Sequence, residues 1–325
     1  MEENWTALTQ GRSGIHRITR FPTENLRTTI AGIVDFMDVE PWSGIDLSYA
    51  LAEAAGTEAI ESAGLDARRF DAPLFLAAPP IELEWSQRLY LDSLPDAVLE
   101  EAGYDRLMLL AARRHAPDIY RLTLFGGISE RLADSFGTRG LPVTLSTACA
   151  SGTTAIQLGI EAIRRGETRA ALCIGTDGSV NPESLIRFSL LSALSTQNDP
   201  PEGASKPFSK NRDGFVMAEG AGAFVMETLE SARARGATVL GILEGCGEKA
   251  DDFHRTRSKP DGSPAIAAVN AALGDAGVAP SDIGYINAHG TSTPENDKME
   301  CLSLTEVFGE GLGGVPISSN KSMIG

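Results

Sequence analysis

Four cysteines are few for 325 residues, and Cys149, Cys173, Cys246 and Cys301 contain no CxxC pair and no histidine at metal-ligand spacing. Both a disulfide framework and a zinc site are thereby excluded, and no metal is expected. Histidines are equally sparse: His16 and His115 have no second His, Cys or carboxylate at ligand spacing and read as surface or capping groups. Positive charge is short as well, since 28 Lys and Arg stand against 44 Asp and Glu, a formal net charge of −16. A phosphate backbone needs clustered cations, so nucleic acid is excluded as a partner. Long apolar runs are missing, and the mixed-charge start MEENWTALTQGRSGIHRITRF holds no signal-peptide core. The chain is expected in the cytoplasm, with no membrane contact.

What is present suits tightly packed α/β layers: 42% hydrophobic residues and 34 glycines. Helical spacing of apolar residues predicts a core helix over 45–64, with Gly64 closing it. The run 72–78 reads as a buried strand ended by Pro79 and Pro80. In Val143 to Leu158, VTLSTACASGTTAIQL, a buried strand is expected to run directly into a helix, with Cys149 at the junction. A strand over 170–174, an apolar-faced helix over 184–196, a Pro- and Gly-rich loop through 198–215, a buried strand over 220–226 and a helix over 229–235 follow. From Ala237 a second unit is expected, with a strand ATVLGILEG and a helix over 264–276. The strand 283–288 runs into HGTSTPEND and a helix over 298–308, and the strand 315–319 runs into NKSMIG.

Three strand ends therefore carry chemistry. A thiol at the start of a helix lies against unpaired N–H groups and positive partial charge, which favours the thiolate and offers donors to an oxyanion. Cys149 is the candidate nucleophile, His289 a hydrogen-bond donor or general acid/base, and Lys321 a cation that tunes a neighbour. They would meet if their strands lay side by side in one open sheet. Asp297 and Glu300 stand one helical turn apart, so either could pair with Lys321. Taken singly, each residue has an ordinary reading: a buried structural cysteine, a satisfied core histidine, a solvated lysine.

Together they carry a resemblance. STACASG around Cys149, NAHGTSTPEND around His289 and SNKSMIG around Lys321 resemble the active-site motifs of elongating β-ketoacyl-acyl-carrier-protein synthases, and KPFSKNRDGFVMAEGAGAFVME from Lys206 to Glu227 is similar to that family too. The resemblance implies an α/β, thiolase-like fold of two repeated α/β halves in five αβαβα layers, here incomplete. Residues 1–236 would form the half with the nucleophile, its first strand missing, and 237–325 the other half, its C-terminal part missing. It implies a homodimer built across strands near Ala170 to Gly175 and acyl carrier protein as partner. No cofactor beyond the carrier's phosphopantetheine is implied. Cys149 would accept an acyl group, His289 would assist decarboxylation of a malonyl thioester, and Lys321 with Asp297 and Glu300 would hold the charged network. Thr291, Thr293 and Thr256 would contact the pantetheine arm, and Phe188 would border the acyl pocket.

Set against the family, a second catalytic histidine after SNKSMIG and a Gly- and Phe-rich gate loop are lacking. That marks an expected internal piece of a longer gene product, impaired in condensation on its own. Pro41 to Tyr49 lacks the basic residues expected of a carrier dock, whereas Arg113 and Arg114 match basic positions there. Two alternatives stand beside the enzyme: a non-catalytic dimer partner of a synthase, and a degradative thiolase using coenzyme A.

Overall fold

The computed structural model describes residues 1–37, 39, 42–80, 82–93, 103–112, 123–254 and 257–325. Its elements in chain order are α1 (Glu2–Thr9), β1 (His16–Arg17), β2 (Ile30–Ala31), α2 (Gly44–Ser62), β3 (Leu74–Ala77), α3 (Trp85–Ser93), α4 (Gly103–Ala112), α5 (Gly127–Phe136) and β4 (Val143–Leu145). There follow a 3₁₀ turn (Ala148–Ala150), α6 (Ser151–Arg164), β5 (Ala170–Asp177), α7 (Pro182–Leu190), β6 (Gly220–Glu227), α8 (Leu229–Ala234), α9 (Ser263–Ala276), β7 (Ile286–Asn287), α10 (Pro294–Phe308), β8 (Ile317–Ser318) and α11 (Lys321–Ile324). They form two compact units, each assembled from separated stretches: Met1–Val34, Val180–Glu219 and Gly241–Gly325 in one, Asp35–Ser179 and Gly220–Leu240 in the other.

The unit that holds Cys149 is a sheet in the order β4-β3-β5-β6, parallel except for β6. Alternation of side chains along the strands splits its core in two. Leu74, Leu76, Leu172 and Ile174 pack with Ile45 and Ile60 of α2 and with Ile128, Leu132 and Phe136 of α5. Phe75, Ala77, Ala171 and Cys173 point the other way, onto Ala155 and Ala162 of α6. Burial on both faces is what makes β3 a continuous apolar run, and each large aliphatic side chain so buried contributes roughly 1.5–3 kcal/mol. Helix α2 starts where Ser43 accepts the Asp46 N–H at 3.0 Å and ends before Gly64, whose φ of +71° suits a residue without Cβ. Helix α6 sits so close to the sheet that a Cβ on Gly159 would lie 2.5 Å from Cys173 Sγ.

Several expectations change here. Strand β4 is the sheet edge rather than a buried strand: Val143 is 40% exposed, and residues 146–150 are exposed throughout. Strand β5 pairs with β3 on one side and β6 on the other, so it has no open edge for a second copy to join, and the dimer seam expected near Ala170 to Gly175 is not available there. Strand β6 is only half-buried, with Phe224 facing out. The stretch 237–245, expected as a strand, forms none, because no described strand lies beside it to complete a ladder. Helix α7 stops at Leu190, short of the expected Thr196. Arg113, Arg114 and Thr256 lie outside the described residues.

In the other unit, β1 and β2 pair antiparallel, and Ile18, Ala31, Ile33, Val180, Leu185, Leu194 and Met217 form its main core. Beside that core lies a buried ion pair. Both terminal guanidinium nitrogens of Arg20 reach the Glu219 carboxylate, at 2.5 and 3.0 Å, and Arg20 also donates to the Val34 carbonyl at 2.9 Å. Glu219 accepts the Val34 and Val180 N–H groups, and its side chain is wholly buried. Removing one partner leaves the other charged and desolvated, so Arg20→Met is expected to cost about 3–5 kcal/mol. Urea unfolding would read this as a lowered midpoint, and an unmoved midpoint would show that the pair does not hold these three segments together.

Candidate active site

Cys149 sits in the 3₁₀ turn that joins β4 to α6 and is exposed. Small residues make the turn possible: Ala148 takes φ +52°, a conformation that bulkier or β-branched side chains resist. The turn is closed by hydroxyls. Ser151 Oγ donates to the Ala148 carbonyl at 2.6 Å and accepts the Thr147 N–H at 2.8 Å, while Thr147 and Thr154 hydroxyls meet at 2.9 Å. No side chain caps α6, which follows the thiol directly in the chain, although the Ser151 N–H is itself taken by the Ala148 carbonyl. Cys173 is the contrast. Burial pushes its thiol up to about 12, which removes it as a nucleophile. All four cysteines are thiols rather than disulfide partners.

His289 and Lys321 are brought together in the other unit, on a different sheet from Cys149, so the expectation of one sheet carrying all three ends does not hold. Strands β7 and β8 run parallel, Ile286 opposite Ile317 and Asn287 opposite Ser318, and deliver the two residues from adjacent strand ends. Glu300 grips the turn after β7, accepting the His289 N–H at 2.6 Å and the Gly290 N–H at 2.8 Å. Ser319 Oγ reaches the Gly290 carbonyl at 2.9 Å from the β8 side. The approach is close enough that a Cβ on Gly290, at φ +40°, would lie 2.6 Å from Ser319 Cβ. Burial is the main cause that lowers the His289 pKa below the ordinary histidine value; the nearby Lys321 charge lowers it further, against the opposing pull of Glu300 and Asp297. The imidazole is thus held neutral at pH 7, with an N–H to donate.

Asp297, expected as a possible partner of Lys321, is buried and takes the Arg212 guanidinium at 3.2 Å and the Phe208 N–H at 2.7 Å. Arg212 and Phe208 went unseen as site residues, although both stand in the KPFSKNRDGF stretch. Thr291 and Thr293 hydroxyls meet at 2.8 Å, and Thr293 caps α10. Phe188, on α7, packs edge-on against Phe215 with ring centroids 5.3 Å apart and remains 37% exposed. A cavity of about 280 Å³ opens beside His289 and Glu300, its wall formed by Asp251, Lys259, Val269 and Met299. Among the described residues, no group of three or more His, Cys, Asp or Glu side chains is arranged to hold a metal, and no helix is long and apolar enough to cross a membrane.

Comparison with known proteins adds to this geometry. Residues 1–232 match the model of the β-ketoacyl synthase N-terminal domain, and 240–325 that of the C-terminal domain. The chain is 36% identical over 332 residues to a 3-oxoacyl-[acyl-carrier-protein] synthase 2 of Vibrio cholerae, covering all of this chain and 78% of that protein. A relative of the same name from Synechocystis is 34% identical over 337 residues, with 77% of its length covered. Among solved structures, a type II polyketide ketosynthase bound to a hexaketide and in complex with its acyl-carrier protein superposes with a TM-score of 0.84 at 28% identity, over 99% of this chain and 77% of that one. The ishigamide ketosynthase/chain length factor gives 0.78 at 30% identity, over 100% of this chain and 77% of that one.

Proposed function

The chain belongs to the β-ketoacyl synthase family, with its thiolase-like α/β fold, and from that membership we propose how its own residues carry the family's reaction. It is an acyltransferase, an elongating β-ketoacyl-acyl-carrier-protein synthase of fatty-acid or polyketide synthesis. In the first step the Cys149 thiolate attacks an acyl thioester; the new sulfur–acyl bond forms as the carrier's sulfur leaves and takes a proton. The N–H groups at the start of α6 stabilise the oxyanion. In the second step the carboxylate carbon of a malonyl thioester departs as carbon dioxide, and its electron pair passes into an enolate. His289 donates its N–H to that enolate oxygen, a role for the neutral imidazole that burial and Lys321 favour. The carbon then attacks acyl-Cys149, a carbon–carbon bond forms, and the thiolate is released. Lys321, Asp297 and Glu300 hold the charge and the turn; Thr291, Thr293 and Thr256 meet the pantetheine arm, and Phe188 borders the acyl chain. The reading needs no cofactor beyond the carrier's phosphopantetheine.

The observation that carries this proposal is the exposed Cys149 on a strained small-residue turn at an uncapped helix start. It also weighs against a non-catalytic partner subunit, which has no use for a thiol there. A degradative thiolase needs a second reactive cysteine, and Cys301 lies within α10. The test is incubation with acyl- and malonyl-acyl-carrier-protein: an acyl adduct on Cys149 supports the reading, and an unmodified thiol overturns it.

Acyl carrier protein is accordingly the partner, by analogy with the ketosynthase complex. The cytoplasm fits the four cysteines kept as thiols. A homodimer is the second association, and the open edge of β4, with Leu141 91% and Val143 40% exposed, is where a second copy can extend the sheet. Sedimentation should give a dimer for the wild-type chain and a monomer for Val143→Lys; a wild-type monomer at micromolar concentration would rule the dimer out.

A further inference from the structure

The loop 206–214, KPFSKNRDG, is tied to the 289–297 turn through Lys206, Phe208, Arg212 and Gly214. Lys206 N–H donates to Ser292 Oγ at 3.0 Å, and Gly214 N–H donates to the Ser292 carbonyl at 3.1 Å. Phe208 N–H donates to Asp297 at 2.7 Å. Arg212 spreads its fork at the first turn of α10: Nε donates to the Thr293 carbonyl at 3.3 Å and lies 3.2 Å from the Asp297 carboxylate as an ion pair, while the terminal nitrogens donate to the Pro294 carbonyl at 3.1 Å and to the Ser209 carbonyl of its own loop at 2.9 Å. The side chain is only 18% exposed.

Both sides of this contact are strained. Ser292 is fully buried with φ +65°, and Phe208 has φ +62°. Non-glycine residues keep such conformations only where their surroundings over-determine them. Ser292 stands between Thr291 and Thr293, and three residues after His289, so any relaxation of its backbone re-aims the imidazole and the hydroxyl pair together. Glu300 and Ser319 hold the His289 end of the turn, while the loop 206–214 holds its far end.

We propose that Arg212 is a positioning residue for the decarboxylation half-reaction: with Ser292 it locks the strained 289–297 turn, and through it the aim of His289 and of the Thr291–Thr293 pair. Arg212 touches no reacting atom. Its planar fork aims three nitrogens at three backbone carbonyls in fixed directions while its charge faces Asp297, a geometry that a lysine ammonium on a flexible stem does not reproduce. The proposal rests on the reading of His289 as the group that meets the enolate.

The test uses the whole chain, with malonyl-acyl-carrier-protein as probe and two readouts: carbon dioxide release, and the NMR titration of His289, assigned by the signal lost in His289→Asn. Arg212→Gln is expected to lower the rate of release at saturating substrate about tenfold or more with little change in KM. It should also move the His289 midpoint up, as water reaches the imidazole and the effect of burial weakens against Lys321, Glu300 and Asp297. Arg212→Lys should recover part of the rate, and Ser292→Ala should shift both readouts in the same direction by less. Acylation of Cys149 from a small N-acetylcysteamine thioester should stay within about twofold throughout. Wild-type release with an unmoved midpoint in Arg212→Gln would overturn the proposal, as would an equal loss of Cys149 acylation. If Arg212→Gln does not fold, the lysine and Ser292 variants decide. A wild-type chain that releases no carbon dioxide counts against the reading of the site, and the NMR comparison then decides the positioning claim.

Discussion

Cys149→Ala takes up no acyl group from an acyl-carrier thioester and forms no condensation product, a loss of roughly a thousandfold or more. The size follows from the division of labour among the cysteines. An acyl-enzyme needs a thiol that is accessible, can ionise and lies beside donors for the oxyanion. Cys149 is the accessible thiol, on its exposed turn at the start of α6. Cys173 is buried and its thiol is pushed up to about 12, so it cannot substitute. Intact-protein mass after incubation with the acyl thioester reads the result directly: one acyl group on the wild-type chain and none on the variant. Decarboxylation of the malonyl thioester should persist in Cys149→Ala, since the carbon–carbon bond breaks without help from the thiol. An adduct on the variant equal to that on the wild type would move the nucleophile elsewhere.

His289→Ala is expected to divide the reaction the other way, leaving Cys149 acylation intact while release of carbon dioxide falls by roughly 10²–10⁴. The pH dependence carries the same signature. Burial first, and the Lys321 charge second, lower the His289 pKa. The neutral imidazole therefore survives below the ordinary histidine value of about 6.5, and the acid limb of decarboxylation should lie below that pH. Removing the Lys321 charge in Lys321→Met raises the pKa and moves the limb up; Glu300→Gln removes an opposing negative charge and moves it down. The same shift acts on stability. Because protonation is harder in the folded chain than in the unfolded one, stability contributed by this site is present above the unfolded value of about 6.5 and declines as pH falls toward the lowered folded value. A limb that stays in place in Lys321→Met would show that the lysine does not set the charge state of His289.

Much of this was legible along the chain because local patterns are physical. The unbroken apolar runs LFLA and AALCI, the helical spacing through 45–64 and the small residues around Cys149 each act over a few neighbours, and the corresponding strands and helix form where the pattern places them. Edges are different. VTL has the letters of a buried strand but lies at the end of the sheet, and ATVLGILEG has a strand's composition but pairs with no described strand. Whether a β-prone run becomes an inner strand, an edge or no strand depends on what the rest of the fold places beside it.

The candidate site divides along the same line. The order and spacing of STACASG, NAHGTSTPEND and SNKSMIG were enough to point to a thiol, an imidazole and an ammonium group and to the reaction that unites them, because those groups' reactivity belongs to the side chains themselves. Partnership does not belong to a side chain. Asp297 and Glu300 were legible as a pair one turn apart, but only the fold assigned Asp297 to Arg212 and Phe208, and Glu300 to the N–H groups of His289 and Gly290. Those contacts join residues some ninety positions apart in the one case and ten in the other, and hydrogen bonds act over about 3 Å of space whatever the distance along the chain. The sequence by itself determined which chemical groups this protein carries and in what order; the tertiary structure decided which of them are buried, which are exposed and which hold one another in place.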